Sequence, residues 1–153
     1  MRPPSDDGAV VGPSSAPPGA HQQVRILIAE DDPILRELLT EWVRNLGHEA
    51  VAVQNGRAAL AAVADRPPDL VLLDIGMPGL NGFEVCRQLK ADPTTRSIRL
   101  LLITAIGEKY RRAGIEAGTE GFLNKPFTLE ELVARIQALL GPRGPTAADP
   151  ETP

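Results

Sequence analysis

A single cysteine, Cys86, stands in 153 residues, so no intramolecular disulfide can form. At that length the core can hold without disulfide or metal staples, and one domain is expected. Positive charge is not in excess: 16 Lys and Arg against 20 Asp and Glu give a formal net charge of -4 and a pI near 5.2. The cations are scattered rather than clustered, which argues against direct contact with nucleic acid or an anionic membrane. No apolar run approaches the length of a membrane span or a signal-peptide core. Neither histidine, His21 nor His48, has neighbours that suggest a metal site or a phosphohistidine relay. The expectation is a soluble, cytoplasmic protein.

Residues 1–22 are rich in Pro, Gly, Ser and Ala with no apolar period, the composition of a disordered tail. Residues 142–153 have the same character, and the Gly-Pro pair at 141–142 is a stop signal for a preceding helix. A unit covering 23–141 remains. Within it, short apolar runs at 24–29, 48–53, 69–74, 98–103 and 121–124 read as strands. Three of these are nearly continuous in Val, Ile and Leu, as strands buried on both faces of a parallel sheet must be. Amphipathic segments alternate with them. The first carries Ile34, Leu35, Leu38, Leu39, Trp42, Val43 and Leu46, which the helical period places on one stripe facing a sheet. Three more run from about 57 to 64, after an Asn55-Gly56 turn, from 82 to 91, and from 108 to 117, the last closed by Gly118. The final helix opens at Thr128 with Glu131 in a capping-box pattern. Five strand–helix units with right-handed crossovers give a doubly wound α/β fold, whose ligands sit at the C-terminal ends of the strands.

Those ends carry the chemistry. Glu30 and Asp31 close the first strand, Asp74 the third and Thr104 the fourth, and Lys125 follows the fifth. Carboxylates this crowded raise one another's pKa unless a hard cation neutralises them, and magnesium is the usual oxygen-ligated choice where water and phosphate share the coordination. Asp32, directly before Pro33, instead fits an N-cap followed by the first helical residue. Asp74 follows four apolar residues and lies well ahead of the next helix, so it caps nothing nearby. Taken singly, each residue also has a plainer reading: solvated acids at a loop mouth, an ordinary surface lysine, a threonine of high β propensity.

Taken together, the motifs "AEDDP", "LLDIGMPGLNG", "LITA" and "FLNKPF", in that order across about residues 24–140, resemble the receiver domains of bacterial two-component response regulators, of the single-domain chemotaxis or cell-cycle type. The resemblance implies a flavodoxin-like (βα)5 sandwich whose five parallel strands lie in the order 2-1-3-4-5. It implies that Asp74 accepts a phosphoryl group from a sensor histidine kinase or histidine phosphotransfer protein. The metal, Mg2+ or Mn2+ in its place, would be held by Glu30, Asp31, Asp74 and the backbone carbonyl of Gly76. Lys125 and Thr104 would complete the catalytic set, Thr104 and Phe122 would form the switch, and Pro126 would follow a cis peptide bond. A face made by the fourth helix, fifth strand and fifth helix would meet an unknown downstream protein, the chain being a monomer or a phosphorylation-dependent homodimer. Such a protein catalyses only its own phosphorylation and dephosphorylation and is not a classical enzyme.

Some positions depart from the family's pattern. Phe122 lacks the hydroxyl of the frequent tyrosine, so its position rests on packing. The segment from Thr104 to Lys125 is about one residue shorter than expected, near Gly107. Ile106 is expected to shield the phosphoryl group from water. A phosphatase with an aspartyl nucleophile would carry a second acid two residues after Asp74, where this chain has Gly76. A dinucleotide-binding domain would need a Gly-rich turn where Glu30, Asp31 and Asp32 would repel phosphate. The remaining alternative is a receiver-like scaffold that binds partners without phosphorylation. No DNA-binding helix pair or enzymatic domain follows Leu140, which makes a regulator acting through protein contacts the expectation. Cys86, beside Phe83 and Leu89, reads as a core or boundary thiol.

Overall fold

The computed structural model describes residues 23–105 and 108–141. The tails at 1–22 and 142–153, and Ile106 with Gly107, lie outside the described residues. Ten elements alternate along the chain: β1 (Arg25–Ala29), α1 (Pro33–Asn45), β2 (Glu49–Val53), α2 (Gly56–Asp65), β3 (Leu70–Asp74), α3 (Gly82–Ala91), β4 (Arg99–Thr104), α4 (Glu108–Ala117), β5 (Gly121–Asn124) and α5 (Leu129–Leu140). All strand pairs are parallel, in the order β2-β1-β3-β4-β5. The doubly wound sheet is the one expected.

The strands without alternation occupy the middle. Every residue of β3 is buried, as are all but the first of β1 and β4, because helices cover both faces. On one face Leu39 and Val43 of α1 and Leu132 and Ile136 of α5 pack on Ile26, Ile28, Leu70, Leu72, Leu101 and Ile103. On the other, α2, α3 and α4 cover Leu27, Leu73, Leu100 and Leu102. The two cores are divided by the sheet, and each strand supplies both.

The seven-residue stripe of α1 is wider than the surface that buries it. Leu35, Leu39, Trp42, Val43 and Leu46 meet the sheet, whereas Ile34 is 79% and Leu38 39% exposed. At about 100° per residue the seven span roughly 180° of the helix circumference, and the sheet covers only about half of that arc. Ile34 and Leu38 fall on the uncovered side.

The helix starts follow the capping chemistry. Asp32 Oδ1 accepts from the Ile34 N–H at 2.9 Å with Pro33 opening α1, and Asn55 Oδ1 accepts from Ala58 N–H at 2.7 Å. Gly56 is the first residue of α2 rather than part of a turn before it. Thr128 and Glu131 form the expected capping box. Gly118, at φ +99°, closes α4, its N–H and that of Thr119 both donating to the Gly114 carbonyl. Cys86 is buried and its Sγ donates to the Ala117 carbonyl at 3.3 Å; burial pushes the thiol up to about 11, which keeps it unreactive. His48 is buried with Nδ1 accepting from the Val24 N–H, so it serves the packing of β1 on β2. No helix among the described residues is long and apolar enough to cross a membrane.

Candidate functional site

Sheet register brings the strand-end residues together. Ala29 is opposite Leu73, Asp74 opposite Ile103, and Thr104 opposite Asn124, so Glu30, Asp74, Thr104 and Lys125 share the C-terminal edge of the three central strands and β5. The β1–α1 connection is too short to carry Asp31 away from this edge. One carboxylate oxygen from each of Glu30, Asp31 and Asp74 lies within 4.8 Å of the others. Glu30 is 1% and Asp74 5% exposed, while Asp31 opens to solvent.

Lys125 pairs with two members of this cluster. Its Nζ is 3.4 Å from Glu30 Oε1 and 3.5 Å from Asp74 Oδ1. These are ion-pair distances without hydrogen-bond geometry to Glu30: Oε1 of that residue is buried and accepts no hydrogen bond, while its Oε2 accepts from the Asp32 N–H at 3.1 Å. Burial pushes the Glu30 carboxyl up to about 7, and the neighbouring Asp74 charge adds to the rise; the Asp32 N–H and the Lys125 ammonium act against it. A buried carboxylate oxygen with no donor, beside two further carboxylates, is what a hard oxygen-ligated cation fits. The residues present suit such an ion.

The scaffold around the acids is polar and specific. The Gly76 N–H donates to Asp74 Oδ1 at 3.1 Å, fixing the rotamer of that carboxylate. The Thr104 carbonyl accepts from the Lys125 N–H at 2.8 Å, and the Lys125-Pro126 peptide is cis. Thr104 is buried. Phe122 lies on the α4 face of β5, opposite Leu102, and is buried, the residue being 8% exposed.

Two contributors are invisible in the sequence pattern. Arg36, at the end of the first turn of α1, donates through Nη1 to the Glu30 carbonyl at 2.9 Å and the Asp31 carbonyl at 3.4 Å, tying the acidic loop to the helix. Gly82 opens α3 directly against the end of β3: a Cβ there would lie 2.7 Å from the Asp74 carbonyl oxygen and 2.8 Å from Ile75 Cα. The six-residue spacing from Glu30 to Arg36 is legible only once the helix is known to fold back over the loop. Gly82 reads as a simple loop residue until the approach of α3 is seen.

Fold and site together define a doubly wound α/β protein with an acidic, cation-compatible crevice at the C-terminal strand ends. Residues 26–137 match the sequence profile of the response regulator receiver domain, and the chain belongs to that family. It is 40% identical over 129 residues to the phosphate regulon transcriptional regulatory protein PhoB of Pseudomonas aeruginosa, covering 84% of this chain and 56% of that protein. It is 42% identical over 117 residues to the DNA-binding response regulator MtrA of Mycolicibacterium smegmatis, covering 76% and 50%. The chain thus spans about half the length of the curated relatives it matches. Among solved structures, a response regulator of Chloroflexus aurantiacus superposes with TM-score 0.74 at 32% identity, over 78% of this chain and 98% of that one. The receiver domain of the sensor histidine kinase PA1611 of Pseudomonas aeruginosa, solved with magnesium coordinated in its active site cleft, gives 0.73 at 27% identity, over 78% and 99%.

Proposed function

We propose that this chain is a phosphoryl-accepting switch in which Asp74 takes the group from the phosphohistidine of a sensor histidine kinase or histidine phosphotransfer protein. The observation that carries this reading is the placement of Lys125 Nζ at 3.4 to 3.5 Å from two buried carboxylates, one of which keeps an oxygen without a donor. Aspartate is the nucleophile of aspartyl-phosphate chemistry, and phosphoryl transfer asks mainly for positioning and charge neutralisation. An Asp74 oxygen forms the new O–P bond as the N–P bond of the donor imidazole breaks, and the leaving nitrogen takes its proton from solvent or the donor protein. The Gly76 N–H holds the Asp74 carboxylate in the attacking orientation. Lys125 leaves its ion pairs to meet the incoming phosphoryl oxygens.

Glu30, Asp31 and Asp74, with the Gly76 carbonyl, would hold Mg2+, or Mn2+ in its place. The bound ion supplies the positive charge that lets a phosphoryl dianion approach three carboxylates. Magnesium in the active site cleft of the PA1611 receiver domain supports this assignment. The acyl phosphate hydrolyses in place, so the chain turns over only its own modification and is not an enzyme toward other substrates.

The phosphoryl group recruits the Thr104 hydroxyl, and Thr104 with Phe122 conveys the change to the α4, β5 and α5 face, where a downstream protein docks and where a phosphorylation-dependent homodimer would form. Ile115 on α4, 59% exposed, and Leu129 at the start of α5, 39% exposed, support that face as a protein contact. The named DNA-binding activity of relatives such as MtrA belongs to proteins about twice the matched length and is not carried over. The test is intact mass after incubation with acetyl phosphate, with and without magnesium, for the wild type and Asp74→Ala. A gain of one phosphoryl group that needs both magnesium and Asp74 supports the reading. No gain in a folded protein points to a phosphorylation-independent binding module.

A further inference from the structure

We propose that α4 carries a built seat for the Phe122 ring, with Gly114 beneath it and Arg111 above it, and that this seat holds the ring inward in the resting chain. The inference rests on the reading of Phe122 as the switch aromatic. A phenylalanine has no hydroxyl to anchor it in or out, so its position is decided by what packs on the ring.

The floor of the seat is the missing side chain of Gly114. A Cβ at that position would lie 2.5 Å from both Cε1 and Cζ of Phe122 and 2.9 Å from Cδ1 of Leu102, far inside the closest approach of real carbon atoms. The ring edge therefore occupies the space that any other residue at 114 would fill. Glycine is the poorest helix former after proline, and Gly114 sits inside the helix rather than at its end. The close approach of β5 to α4 gives a local reason for it.

The lid is Arg111. It precedes Gly114 by three residues, which places both on one side of α4, and its guanidinium carbon is 5.3 Å from the centroid of the Phe122 ring, within cation–π range. Arg111 is itself exposed, so it covers the ring from the solvent side. Both jaws belong to one helix. Any displacement of α4 therefore moves the seat, and any displacement of the ring must be accommodated by α4. In this chain the inward ring is the position that α4 holds.

The experiment is 19F NMR on protein carrying 4-fluorophenylalanine at its three Phe positions, with the Phe122 signal assigned from Phe122→Leu and its exposure read from the H2O/D2O shift. The wild type should give a solvent-shielded signal. Gly114→Ala should move it to an exposed one, Arg111→Ala should raise the exposed population several-fold, and Arg111→Lys should restore most of the shielding because a cation is kept. A shielded, unshifted signal in both Gly114→Ala and Arg111→Ala would overturn the seat. Should Gly114→Ala fold poorly, the same substitution is made in Phe122→Ala. There the loss of melting temperature relative to Phe122→Ala alone should be much smaller than the loss in the wild-type background, since the ring is gone and only the Leu102 contact remains; an equal loss in both backgrounds would place the clash on Leu102 and overturn the floor. Acetyl phosphate labelling of the same samples separates the two readings. Labelled Asp74 with an unmoved ring refutes the seat alone, and a moved ring without labelling refutes the phosphorylation reading alone.

Discussion

Glu30→Gln removes the charge that this structure finds hardest to hold. The carboxyl is 1% exposed and its pKa rises from 4.5 to about 7, with burial the leading cause. Such a group binds its proton more tightly when the chain is folded. Its contribution to stability is therefore fully present below pH 4.5 and is lost as the pH climbs through 7. The rise corresponds to on the order of 3 kcal/mol between the two ends of that window. In chelator, Glu30→Gln should therefore be more stable than the wild type by roughly 2 to 3 kcal/mol at pH 8 and equal to it near pH 4, since the amide needs no cation beside it. Magnesium should reverse the order at pH 8: the wild type gains stability by mass action and the variant does not. Urea unfolding at both pH values, with chelator or with magnesium, reads all of this. A variant that is no more stable than the wild type at pH 8 in chelator would refute the strained-carboxylate reasoning, and an equal magnesium response in both proteins would refute the ligand assignment.

Three further substitutions separate packing, capping and docking. Gly82→Ala drives a Cβ into the Asp74 carbonyl and Ile75 Cα; the cost should be about 1 to 3 kcal/mol or more, and acetyl phosphate labelling should slow because the strand end carrying Asp74 must shift. Thr128→Ala removes one half of the α5 capping box. It should lower the unfolding free energy by about 1 kcal/mol and leave the labelling rate unchanged. Ile34, 79% exposed in the first turn of α1, lies beside the acidic loop, where the proposed phosphohistidine donor would arrive. Ile34→Glu should slow transfer from a phosphorylated partner protein by roughly tenfold, the effect of losing about 1.4 kcal/mol of contact, while the rate with acetyl phosphate stays put. Equal slowing with both donors would show that Ile34 supports the site itself.

The alternation of Val/Ile/Leu runs with amphipathic segments carried the architecture plainly, because strands covered on both faces have no polar side to disguise them. The clustering of Glu30, Asp31, Asp74 and Lys125 was legible for a related reason: acids that close buried strands need a counter-charge, and one lysine against three acids leaves that need partly unmet. The width of the α1 stripe was not legible. Periodicity tells which side of a helix is apolar, and only the sheet tells how much of that side is covered, which left Ile34 and Leu38 outside. Nor could the sequence distinguish the glycines. Gly82 and Gly114 are set by the approach of elements far apart in the chain, whereas Gly118, at positive φ, is set by its own backbone and could be read as a cap. Arg36 was hidden in the same way, as its contact with the acidic loop exists only after α1 turns back over it.

The most direct measurement is to locate the phosphoryl group itself. Protein labelled with acetyl phosphate in magnesium is reduced with borohydride, which converts an aspartyl phosphate to homoserine, and is then digested and mapped by mass spectrometry. The account predicts homoserine at position 74 and nowhere else, absent when magnesium is withheld. Homoserine at Asp31 or another acid, or labelling at 74 that proceeds equally in chelator, would contradict it.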